Sequence, residues 1–221
     1  MKIIRLIAFV LVLLTALPVY SIENSREIGW DNLLPHMAPL DNPLTTLTTE
    51  QLIDMETLVG IRNMHRRSNI SEVSNIFEDG VEIRYKLEGQ GLDVDGLIAA
   101  YLRLEGELAR RNQLTNAKLD GQLVRMPGYA LPLEHKDAGV KELLLVPYVG
   151  ACIHVPPPPA NQTVYVTLKD AYILENIYDP VWITGRLTIK STNQSLALVD
   201  GTAGVDTAYV LDGLKIEPYE E

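Results

Sequence analysis

The sequence predicts an α+β protein, a helical N-terminal region followed by a five-stranded OB-like Greek-key β-barrel. Three observations carry that expectation. Apolar residues recur at helical spacing before residue 119, and short strand-like runs separated by turn residues follow it. Gly185 and Gly213 interrupt the last two runs, as the bends of a small closed barrel require. The 221 residues are 47% hydrophobic and 22% charged, enough for one core and a smaller appendage.

Residues 1–21 read as a secretory signal peptide. Lys2 and Arg5 precede an apolar run from Leu6 to Leu17, and Pro18 follows it. Val19 and Ser21 then supply small residues before a cut that leaves Ile22 first. The run is 12 residues, short of the roughly 20 that a bilayer span needs, and an uncleaved anchor is the alternative. No cysteine lies near the cut, which excludes a bacterial lipoprotein anchor. The expectation is a periplasmic protein with no transmembrane segment after cleavage.

Residues 22–118 read as an N-terminal arm and helices. Ile22 to Pro43 is rich in Pro, Asn and Asp, with Trp30, Leu33 and Leu34 as apolar anchors for an extended arm. Thr48 to Gln51 has the capping-box pattern and opens a helix from about Glu50 to His65. Arg66 to Glu78 reads as a polar loop or lid. Val81, Ile83, Tyr85 and Leu87 alternate with other residues, the pattern of a strand or an extended link. Leu97, Tyr101, Leu104 and Leu108 mark a helix from about Asp93 to Leu114, with Asp95 as the N-cap. Residues 119–221 read as the β domain, with strands at Gln122–Leu133, Glu142–Val149, Thr163–Leu168, Val181–Ile189 and Tyr209–Glu217.

Charge and cysteine usage exclude several functions. The formal net charge is −10, and −12 once Lys2 and Arg5 leave with the signal peptide, so a nucleic-acid partner is not expected. The sole cysteine, Cys152, excludes an intramolecular disulfide framework and an all-cysteine zinc site.

The densest chemistry lies between Val146 and Gln162. Pro156, Pro157, Pro158 and Pro159 form a stiff strut beside Cys152 and His154, spaced so that both face one side of an extended chain. A thiolate and an imidazole are zinc ligands, yet tight sites take four ligands, or three plus water, so a third or fourth must come from His135, His36, His65 or an acidic residue. Read structurally, Cys152 is a small buried hydrophobe and His154 a hydrogen-bonded core residue. Read as a nucleophilic pair, the two lack a visible orienting residue or oxyanion hole. No catalytic residue is assigned.

Several strings in the second half resemble the DUF3299 family of exported bacterial proteins. They are Leu119-Asp120-Gly121, Val124–Tyr129, Leu131–Glu134, Val146–Gln162, Tyr178–Gly185 and Glu217-Pro218-Tyr219. The resemblance implies no defined activity. It does imply a setting beside an ABC-type transporter and a periplasmic metal-binding protein, in clusters that respond to zinc limitation. Many relatives are lipoproteins, and this chain departs from them there.

The leading expectation is therefore a periplasmic accessory or binding protein of a transport system in divalent-metal homeostasis, with zinc held by Cys152, His154 and His135. The alternative is a structural adaptor that docks a partner through Tyr148, Pro156, Pro157, Pro158, Pro159, Asn161, Gln162 and Trp182. A Cys152-dependent enzyme is the third reading.

Overall fold

The computed structural model of the protein describes residues 24–68, 75–134, 139–151, 156–198 and 201–219. Among the described residues it is α+β, with three α-helices and a six-stranded mixed sheet. No helix among the described residues is long and apolar enough to cross a membrane.

The arm begins with β1 (Arg26–Glu27) and runs through two short 3-10 turns to α1 (Thr49–Ser68). The predicted capping box forms: the Thr48 amide donates to Gln51 Oε1 at 2.9 Å, and the Gln51 amide donates to Thr48 Oγ1 at 3.3 Å. Next come α2 (Asn75–Gly89) and α3 (Val94–Arg111). Met55, Leu58, Leu87, Val94 and Ile98 bury one helical core, and Leu44, Ala100 and Leu104 bury a second beneath the arm.

The helices correct three expectations. The stretch Val81–Leu87 is helical, not extended. Phe77, Gly80, Ile83 and Leu87 recur at steps of three and four on the packed face, whereas Val81 and Tyr85 stand 40% and 70% exposed. The polar segment read as a loop contributes residues to the end of α1 and the start of α2. Asp93, not Asp95, caps α3, its Oδ1 accepting from the Gly96 amide at 3.0 Å, and Leu108 of the expected stripe is exposed.

The β half contains β2 (Leu123–Pro132), β3 (Val140–Val146), β4 (Val164–Tyr172), β5 (Pro180–Leu198) and β6 (Gly201–Pro218). The order is β1-β2-β3-β4-β6-β5, and a further β2–β5 pairing closes the last five strands into a ring. All pairs in the ring are antiparallel except β4–β6, which is parallel. The expected five strands become six because β1 joins β2 in parallel, Arg26 opposite Val124. The last two strands are also longer than expected, extending as a hairpin in which Thr192 pairs with Thr207 and Leu198 with Gly201.

Alternation along the strands sorts two cores. Val124, Met126, Leu143, Leu145, Val164, Val166, Ile183, Leu187 and Leu211 fill the interior, with Leu33 and Ile28 of the arm. Leu131, Leu144 and Val146 point the other way and meet Leu196 and Val205, so the hairpin covers the outer face of β3. Glycines make two close approaches possible. A Cβ at Gly185 would strike the Asp212 carbonyl beside the β5–β6 register shift, and one at Gly128 would lie 2.9 Å from the Trp30 ring.

Candidate functional site

The connection from β3 to β4 carries most of the residues singled out in the sequence. At its start, Val146 and Ala151 are buried in the second core, while Tyr148 and Val149 between them are 44% and 50% exposed. At its end, Pro158, Ala160, Asn161 and Thr163 are buried, and Pro156, Pro157 and Pro159 are exposed. The prolines lie outside any strand, as their missing N–H groups demand. Cys152 and His154, and His135 of the β2–β3 turn, lie outside the described residues. The turn and the connection leave opposite ends of β3.

Asn161 and Gln162 hold the fold together. Asn161 is 1% exposed, and its Nδ2 donates to the carbonyls of Arg111 and Leu114 at 2.8 Å each. Leu114 lies just past the end of α3, and the Arg111 carbonyl also accepts from the Leu114 amide at 3.0 Å, so the side chain reinforces the helix terminus from another segment. Gln162 Nε2 donates to the Trp30 carbonyl at 3.2 Å, tying the same point to the arm. The connection is thus fixed at both ends, while the side chains of Tyr148, Val149, Pro156, Pro157 and Pro159 face solvent.

Ring closure brings a second group to the start of this connection. Tyr129 pairs with Val146 on one side and Pro180 on the other, so β3 ends and β5 begins at the same level of the ring. Two strand spacings separate them, about 10 Å. Tyr178, 49% exposed, precedes Pro180 by two residues, and the amide of Tyr219, 39% exposed, donates to the Pro180 carbonyl at 3.0 Å. Tyr148, Tyr178 and Tyr219 therefore mark one end of the ring.

Trp182 braces that end. Its ring stacks on Tyr219 with centroids 5.3 Å apart and 14° between planes, and the Arg125 guanidinium lies 3.9 Å from the Trp182 centroid. Arg125 also pairs with Glu27 of β1 at 3.1 Å. Sequence reasoning selected Tyr148 and Trp182 but missed Tyr178 and Tyr219. The family strings contained both, and their proximity to Tyr148 depends on the β2–β5 closure.

Elsewhere, Tyr165 on the outer face of β4 has its phenol pushed up by burial and, to a smaller extent, by the Glu142 carboxylate. His36 lines a cleft between the arm and the end of α3, and His65 packs tilted against Phe77 at 5.9 Å. No group of three or more metal-binding side chains forms among the described residues.

Comparison with known proteins gives one family. The profile of DUF3299, described as a protein of unknown function, matches residues 30–218, so the similarity reaches across the arm and helices as well as the ring. No curated protein matches the sequence. A crystal structure of a DUF3299 family protein from Pseudomonas aeruginosa PAO1 is similar, at 26% identity and a TM-score of 0.48. The alignment covers 89% of this chain and 97% of that one.

Proposed function

Since the chain belongs to the DUF3299 family, we propose that it acts as an exported, periplasmic accessory protein of a transport system in divalent-metal homeostasis, zinc by preference. In this reading the ring is an OB-type barrel. Five long strands, one parallel pair and closure of β2 on β5 support that assignment. Barrels of this type bind ligands on an outer strand face and its flanking loops. Here the chain's own hairpin, through Leu196 and Val205, occupies the outer face of β3. Contact is left to the loops.

The observation that carries the proposal is the β3–β4 connection, held at both ends and bordered by Tyr148, Tyr178 and Tyr219. Exposed tyrosines on a rigid frame are suited to protein contact, because each brings large area at small entropic cost. Cys152 and His154 belong to the same connection. Two protein ligands completed by water give a weak, exchangeable zinc site, which suits transfer to a partner better than storage. His135 is the third ligand that the sequence offers, and its contribution is tested separately from the pair.

The test is photo-crosslinking in the host envelope from probes placed at positions 148, 178 and 85. Adducts to a transporter subunit or a periplasmic metal-binding protein from 148 and 178, with none from 85 on α2, support the reading. No adduct from 148 or 178, or equal adducts from all three positions, would contradict it.

A further inference from the structure

A cleft of about 500 Å³ opens between the N-terminal arm, α1 and α3. Ligand pockets run from about 300 to 1,000 Å³, so it has room for one small molecule. Buried Leu44 and Leu104 line it with apolar surface, and so does Leu108, which stands 48% exposed. Tyr101 also lines it, together with Glu56 of α1 and Glu105 of α3. Burial pushes the Tyr101 phenol up, and the Glu56 and Glu105 carboxylates push it further. Two negative charges from different helices thus act on one lining ring.

Neither carboxylate is balanced from within the chain. Among the described residues no cation lines the cleft, and neither Glu56 nor Glu105 has an ion-pair or hydrogen-bond partner. A helix places a compensating Lys or Arg three or four residues away, and none stands there for either residue. Other carboxylates of the same two helices are paired, Glu50 and Asp54 with Lys86, and Glu107 with Arg110 and Arg111. An apolar cleft with two uncompensated carboxylates beside an aromatic ring complements an ammonium head on an aliphatic chain. We propose that the cleft between the arm, α1 and α3 binds a single-chain aliphatic ammonium, its head at Glu56 and Glu105 beside Tyr101 and its chain against Leu44, Leu104 and Leu108. The site is independent of the ring and of the proposed metal chemistry.

The test uses the mature chain from Ile22 and octylammonium as the probe, read by calorimetry. Two double variants remove the same charge at exposed positions, so that folding, checked by thermal melting, is retained. One combines Glu56→Gln with Glu105→Gln in the cleft, and the other combines Glu78→Gln with Glu82→Gln on α2, outside it. The parent binds octylammonium, the cleft variant weakens binding by about tenfold or more, and the α2 variant binds as the parent does. Octanoate, with a similar chain and the opposite charge, and methylammonium, with the head and no chain, both bind poorly. The proposal is overturned if millimolar octylammonium does not bind, or if the cleft variant binds it as the parent does. It is equally overturned if the α2 variant loses as much as the cleft variant, or if octanoate or methylammonium binds as well as octylammonium.

Discussion

The Tyr209 hydroxyl donates to the Leu33 carbonyl at 2.6 Å, joining the last strand of the ring to the N-terminal arm. The same oxygen accepts from the Asn116 amide at 2.7 Å, and Asn116 Nδ2 donates to the Asn32 carbonyl at 2.8 Å. Tyr209 is fully buried, and burial pushes its phenol up despite the bond from Asn116. Three segments distant in sequence meet at one hydroxyl.

Tyr209→Phe removes that hydroxyl and keeps the ring volume. The Leu33 carbonyl retains a bond from the Asn116 amide at 3.1 Å, so no buried acceptor is orphaned. The expected loss is about 1 kcal/mol, the net worth of one such bond, measured by urea unfolding.

Asn161 tests the clamp on the β3–β4 connection. Asn161→Ala strands the Leu114 carbonyl and leaves the Arg111 carbonyl only its 3.0 Å bond from the Leu114 amide, and it should destabilise by about 2 kcal/mol. Asn161→Asp is expected to be worse, about 3 kcal/mol or more, because a carboxylate oxygen would face two carbonyl oxygens. Equal stability of Asn and Asp forms in chemical denaturation would remove the clamp from the account.

The glycine pair makes opposite forecasts. Gly185→Ala drives a methyl into the Asp212 carbonyl and should cost about 2 kcal/mol through overpacking. Gly106→Ala, in an open position of α3, should stabilise by about 0.5–1 kcal/mol through helix propensity. Melting temperatures of the two variants will move apart.

Acid sensitivity has a named source. Hydrogen bonds from Arg110 and then Arg111 lower the Glu107 carboxyl from 4.5 to about 2. A carboxyl depressed in the folded state stabilises fully above its unfolded value. That stabilisation fades as pH falls from about 4.5 and is gone below about 2. Glu107→Gln should therefore flatten the decline of stability over that interval, with the effect shrinking in high salt because the pair is largely exposed. Unfolding midpoints measured against pH will show whether the slopes of parent and variant differ.

Local signals were legible in the sequence and long-range ones were not. The Thr48–Gln51 box needs only neighbouring residues, and it formed as read. In α2 the alternation of Val81, Ile83, Tyr85 and Leu87 concealed a helical face, because Gly80 occupies a packed position without supplying an apolar side chain. The β5–β6 hairpin outruns its apolar pattern because ladder bonds are made by backbone, and Lys190 to Asn193 supply backbone as well as any residues do. The gathering of Tyr148 with Tyr178 and Tyr219 follows from the closure of β2 on β5, which no local pattern encodes. Asn161 and Gln162, singled out beside the prolines, bond to α3 and to the arm.

The reactivity of Cys152 tests the central proposal most directly. Zinc bound to Cys152 and His154 requires a thiolate, so the sulfur should titrate well below the free value of about 8.5 when metal is present. The measurement is the alkylation rate of the mature protein in zinc and in chelator, for the parent, His154→Ala and His135→Ala. The account predicts protection by zinc that weakens below about pH 6 as imidazole protonates, is lost in His154→Ala and survives in His135→Ala. Equal rates in zinc and chelator for the parent would contradict it.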